Sequence, residues 1–175
     1  MLFYILVTIT LVLLNGFFVA AEFAIVKVRV SQLELKAQAG TSGSTNLAIK
    51  IVNNLDGYLA ATQLGITLAS LALGWVGEPV VSKIIISLMN WVGVGMSEAT
   101  SHQIALPIAF AIISILHIVF GELAPKTIAI QKAEQTTLLL AYPLNFFYII
   151  FRPFIWVLNG FANFILKLIG IKSMH

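Results

Sequence analysis

The sequence predicts an all-α integral membrane domain, with three transmembrane helices and a cytoplasmic-side belt of short re-entrant or juxtamembrane helices. Three observations carry this. Hydrophobic side chains make up 59% of the 175 residues and charged ones 10%, against about 45–50% and about 25% in a soluble domain. The uncharged runs reach the roughly 20 residues that a bilayer crossing requires, and mean hydropathy is +0.99. The ten Lys and Arg, which leave a net charge of +3, flank these runs and form no block, which suits an inner-leaflet surface and not a nucleic acid. A water-soluble globule is excluded. There are no cysteines, hence no disulfide framework, thiolate nucleophile or zinc-thiolate site.

The first span covers about residues 2–27: Met1 to Ala21 is uncharged, and Phe23 to Val26 continue the run past Glu22 to Lys27. A secretory signal peptide would carry its basic residues before the apolar run, whereas Lys27 and Arg29 follow it. Lys27, Arg29, Lys36 and Lys50 place the next segment in the cytoplasm and the N-terminus outside. Around Gly40-Thr41-Ser42-Gly43-Ser44-Thr45, residues 31–54 read as two short cytoplasmic helices joined by a flexible loop. The second span, about 57–77, is uncharged over Tyr58–Gly77. Its Ala61, Gly65 and Ala69 recur every four residues, the small-residue spacing that lets helices approach closely, within the chain or across a dimer. Pro79 suits the first turn of a new helix. With Val81, Ile84, Ile85, Leu88 and Val92 on one face and Lys83, Ser87 and Asn90 on another, that helix is expected along the outer interface, with Trp75 and Trp91 as an aromatic belt. Gly93–His102 is a polar turn, and the third span covers about 103–124. In residues 136–171, Arg152-Pro153 divides the apolar sequence. An arginine at mid-bilayer costs at least about 2.5–3.5 kcal/mol, so the expectation is an inner-leaflet helix pair, with Lys167 and Lys172 cytoplasmic. A true fourth span is the alternative.

Ionisable residues within such spans are site candidates, and three stand out: Glu22, His117 and Glu122. Glu22 lies five residues before Lys27 and Glu122 four before Lys126, so both carboxylates sit at matching depth, about one turn inside the cytoplasmic border. In Gly121-Glu122-Leu123-Ala124-Pro125-Lys126, Pro125 has no N–H and its ring pushes on the carbonyl four residues earlier, which frees that of Gly121. A free carbonyl beside a carboxylate suits a hard cation such as Mg²⁺ or Na⁺. Glu122 could instead pair with Lys126, or with Lys27 and Arg29, while Pro125 simply ends the helix; spacing does not choose between these. Asn15, Thr62, Gln63 and Thr67 suit helix–helix hydrogen bonds or direct ion contact. His117 is one turn and one residue before Glu122 and suits a hydrogen-bonded packing role. With no nucleophile elbow, phosphate loop or HExxH, nothing suggests an enzyme.

Three stretches, Asn15-Gly16-Phe17-Phe18-Val19-Ala20-Ala21-Glu22-Phe23-Ala24, Gln63–Leu71 with Gly74-Trp75-Val76-Gly77-Glu78-Pro79, and Phe120–Lys126, resemble the transmembrane domain of the CorC/cyclin M (CNNM) family, the hemolysin C-like proteins. The resemblance covers nearly the whole chain. It implies a homodimeric, multi-pass domain of the plasma (inner) membrane, N-terminus outside and C-terminus cytoplasmic, followed by a cytosolic pair of CBS modules and a small CorC domain. This chain ends where those modules would begin, so it is expected to be the membrane part of a longer protein. The implied activity is Mg²⁺ export, exchanged against Na⁺. The implied ion site uses two serines of the first helix, an asparagine of the second, and the glycine carbonyl and glutamate of the third. Gly121 and Glu122 match, whereas Val19, Ala21 and Ile66 occupy the other three positions. A partly hydrated Mg²⁺, substitute ligands among Glu22, Thr62, Gln63 and Thr67, or another cation would accommodate this. Two readings follow: a cation transporter centred on Gly121 and Glu122 with Pro125 holding the kink, or a non-transporting anchor and dimerisation module for cytosolic CBS sensor domains.

Overall fold

A computed structural model describes residues 2–40, 43–93 and 98–169. The described residues form helices only: α1 (Leu2–Lys27), α2 (Val30–Ala39), α3 (Gly43–Asn53), α4 (Leu55–Trp91), α5 (Glu98–Leu116), a π-helical turn (His117–Leu123), α6 (Ala124–Gln131) and α7 (Ala133–Leu168). The first span and the two short helices after it fall where the sequence places them. Gly40, at φ 154°, takes a backbone conformation that residues with side chains rarely adopt, and α2 ends there. Thr41 and Ser42, the centre of the expected loop, lie outside the described residues, as does Lys172.

Three expectations need correction. Pro79 does not begin a separate interfacial helix but lies inside α4, which runs unbroken for 37 residues. Arg152-Pro153 does not divide the last apolar stretch: α7 is a single helix of 36 residues that includes both Pro143 and Pro153. The third helical rod starts at Glu98, inside the expected polar turn, of which residues 94–97 are outside the described set, and it runs on to Gln131. The physical reason is shared. Breaking a helix in an apolar medium strands up to four N–H and four C=O groups at the break, whereas an internal proline forfeits one hydrogen bond and bends the rod. Four stretches, Leu2–Lys27, Leu55–Trp91, Ala99–Gln131 and Ala133–Leu168, are therefore long and apolar enough to cross a membrane, where three spans and a belt were expected. Large apolar side chains exposed along α7, among them Leu139, Phe146, Ile149, Trp156, Phe161 and Phe164, fit a lipid surrounding.

The chain packs as two compact units. One comprises Met1–Ala20 with Ile66–Thr127, the other Ala21–Gly65 with Ile128–His175. In the first, Val12, Leu73 and Ile113 form a core joined by Leu11 and Val81. Gly77 lies so close to it that an added Cβ would stand 3.2 Å from Ile113 Cδ1 and Leu73 Cδ1. Thr8 and Thr10 donate their hydroxyls to the Tyr4 and Leu6 carbonyls at 2.9 and 2.8 Å, which satisfies them without a partner helix.

In the second unit, Val28, Leu33 and Ala48 pack with Ile49, Val52, Ala133 and Leu138, which seats the α2–α3 hairpin on the start of α7. Lys36 Nζ meets Glu134 Oε1 at 2.6 Å on its surface. The start of α4 docks on α7 through Ala61, Leu64 and Ile155. Tyr58 stacks on Tyr148 with centroids 4.3 Å apart and donates its hydroxyl to Asn145 Oδ1 at 2.6 Å. Of the small-residue series, Ala61 and Ala69 are buried, as is Gly65.

Candidate functional site

The third rod changes register at His117–Leu123, where it is π-helical. Its closing bond runs from the Ala124 N–H back five residues to the Val119 carbonyl. Having no N–H, Pro125 can give a helix bond neither to the Gly121 carbonyl in α register nor to the Phe120 carbonyl in π register.

Helix α1 is shaped to receive this turn. A Cβ on Gly16 would stand 2.9 Å from the Phe120 carbonyl oxygen and 2.9 Å from Pro125 Cγ, so only glycine lets the α1 backbone lie against both. The preceding residue supplies a hydrogen bond. Asn15, fully buried, donates from Nδ2 to the Gly121 carbonyl at 3.0 Å. A carbonyl can only accept, so the amide nitrogen must face Gly121, leaving Oδ1 for another donor. That donor is Ser70 of α4, whose Oγ lies 3.1 Å from Asn15 Oδ1. Ser70 Oγ also lies 3.4 Å from His117 Nε2. Since its one hydrogen goes to Asn15, this weaker contact has the Nε2–H of His117 donating to Ser70. The donors then run in one direction, from His117 through Ser70 and Asn15 to the Gly121 carbonyl. Gly121 itself is buried; a Cβ there would stand 2.8 Å from His117 Cδ2 and 3.1 Å from Asn15 Nδ2.

The Gly121 carbonyl expected to be free is therefore held by Asn15. Glu122, next in the chain, is exposed on the surface of the single chain. In the other unit, the Glu22 carboxylate accepts a hydrogen bond from Gln63, and Thr62, fully buried, gives its hydroxyl to the Leu59 carbonyl at 2.8 Å. Thr67 is exposed. Among the described residues, no three His, Asp or Glu side chains gather as a metal-binding group. The polar frame of the kink thus comes from Asn15, Ser70 and His117. The first and last suit hydrogen bonding from sequence alone, while Gly16 and Ser70 are missed as kink partners; the signal for them is an Asn-Gly pair in an otherwise uncharged run.

Apolar helices of spanning length, threaded by a polar chain that fixes a π-helical kink, define a multi-pass α-helical membrane protein. The chain belongs to the cyclin M (CNNM) family: the family model of the cyclin M transmembrane N-terminal domain matches residues 6–175. Among curated relatives, it is 51% identical over 162 residues to the UPF0053 protein YrkA of Bacillus subtilis (strain 168), covering 93% of this chain and 37% of that protein. It is 46% identical to UPF0053 protein YhdT of the same organism, covering 93% of this chain and 34% of the relative. For UPF0053 protein YugS the identity is 47%, over 92% of this chain and 37% of that protein. The chain thus spans about a third of the length of these relatives.

Proposed function

We propose that this chain is the membrane domain of a cation transporter, with Mg²⁺ export as its activity, Na⁺ as the coupled ion, and the Gly121–Glu122 turn as the place where the cation is handled. One observation supports this reading above the rest. Three polar side chains within apolar helices are committed to holding one backbone carbonyl at a π-helical turn, immediately before a carboxylate. Polar groups in such surroundings cost free energy, and a domain that only anchors has no use for a backbone oxygen fixed beside an acidic residue. The Gly121 oxygen keeps a second lone pair after accepting from Asn15. With Glu122 it offers hard oxygen donors, and Mg²⁺, which sheds water reluctantly, would retain several waters there. In the other unit Glu22, which accepts from Gln63, is a further candidate ligand. Movement of helices about the pinned kink would supply alternating access. Homodimerisation, a plasma-membrane location with the N-terminus outside, and cytosolic CBS and CorC modules, for which the greater length of the relatives leaves room, belong to the same proposal.

The test is Mg²⁺ flux into liposomes carrying the wild type or Glu122→Ala. The variant is expected to lose most of the flux; equal flux in both rejects the assigned site. One observation favours a second reading. Val19 and Ala21, 5% and 1% exposed, and Ile66 offer no oxygen where the family resemblance implies ligands. A non-transporting anchor for CBS sensor domains would account for this, and it predicts no flux of any cation from the wild type.

A further inference from the structure

In the half of α4 nearer Trp91, two buried oxygens, Glu78 Oε1 and Ser82 Oγ, have no hydrogen-bond partner. Ser82 as a residue is only 4% exposed. The two side chains are four residues apart and so stand one above the other on one helix face. Between them lies Pro79, which brings no N–H to the carbonyl of Trp75, and residues 75, 78, 79 and 82 share that face by helical spacing. A carboxylate oxygen, a hydroxyl oxygen and a backbone oxygen deprived of its helix donor are thus gathered along one stripe of a helix of spanning length. The neighbouring hydroxyl of Thr8 is already committed to Tyr4, and Lys83, next in the chain to Ser82, is exposed. Neither the α1 hydroxyl nor the adjacent ammonium compensates Glu78.

Glu78 as a residue is half-buried, but its Oε1 is shut off from solvent without a hydrogen-bond donor, and a carboxylate oxygen so placed is best satisfied by a positive counterpart. The donors here are all oxygens, which selects a hard cation and disfavours softer metals that prefer nitrogen or sulfur. They carry a single formal negative charge, which a monovalent ion neutralises and a divalent ion would leave in excess. We infer that Glu78 and Ser82, with the Trp75 carbonyl, form a binding site for a hard monovalent cation of the sodium type. It is separate from the kink: none of its residues belongs to the Asn15–Ser70–His117–Gly121 chain.

The experiment uses the full chain purified in detergent, in NaCl or in choline chloride at equal ionic strength, with thermal unfolding and equilibrium binding of radioactive Na⁺ as readouts. The wild type is expected to unfold at higher temperature in NaCl and to bind Na⁺ saturably. Glu78→Gln, equal in shape but uncharged, is expected to abolish both. Ser82→Ala should weaken Na⁺ binding by about tenfold, as loss of one supporting ligand commonly does. Ser87→Ala, at an exposed hydroxyl of the same helix already bonded to the Lys83 carbonyl, should leave Na⁺ binding intact, which ties the response to Glu78 and Ser82. The proposal is overturned if the wild type responds equally to the two salts, or if the Na⁺ response survives Glu78→Gln. It is overturned equally if Glu78→Gln is more stable than a salt-indifferent wild type, which would mean that a proton neutralises the carboxyl. Should Glu78→Gln not fold, Na⁺ binding to Ser82→Ala decides: unchanged affinity sinks the site.

Discussion

Pro125 and Pro153 both lie in apolar helical stretches, and each withholds one N–H from the backbone, yet the helix around them differs. At Pro153 the rod stays α-helical and the proline is exposed; the same holds for Pro79, Pro107 and Pro143. Pro125 alone of the five is partly buried, and beside it the rod becomes π-helical. The difference lies in what each proline meets. Pro125 packs where Gly16 has no side chain, and Asn15, one residue earlier, takes the carbonyl of the widened turn. A proline by itself bends a helix; a glycine slot and an amide donor on a neighbouring helix turn that bend into a fixed site.

The comparison can be broken most severely at the slot. Gly16→Ala places a methyl against a backbone oxygen and a proline ring, neither of which yields easily, so it should cost about 2–3 kcal/mol. A fall in the thermal-unfolding midpoint in detergent would register it, and an unchanged midpoint would show that the slot is not required. Next in size is Asn15→Ala, which removes one bond to the Gly121 carbonyl and one from Ser70. With membrane hydrogen bonds individually modest, the expected loss is about 1–2 kcal/mol. Addition of Ser70→Ala should then cost little more, because the two residues act through one chain; full additivity in that double-mutant cycle would dissolve the proposed directional network. The smallest effect, and of opposite sign, is expected at Pro153→Ala. The exposed helix regains a hydrogen bond, for a gain of no more than about 1 kcal/mol, a fraction of what proline costs in an unadapted helix interior. Destabilisation there would mean that Pro153 too has a built partner.

Much of this was legible in the residues themselves. The uncharged run before Lys27 gave α1, and Gly40 with its polar neighbours gave the break between α2 and α3. Gly121-Glu122 with Pro125 marked the place of the π-helical turn. The breaks expected at Pro79 and Arg152-Pro153 failed because rules for water-exposed helices overstate how readily a helix ends where no water can take the stranded groups. The occupancy of the Gly121 carbonyl was illegible for a different reason. Its partner, Asn15, stands 106 residues away, and no periodicity within either helix announces that the two will meet.

Sequence alone determined that the chain is helical and lipid-facing, and it marked Gly121–Pro125 as the irregular stretch of the third rod, because apolar run length, charge placement and the missing proline N–H act locally. Tertiary structure decided which backbone oxygen is held, by which donors, and which polar groups are left without partners. Those outcomes depend on which side chains separate helices bring within 3–4 Å of one another, a distance over which hydrogen bonds form or fail.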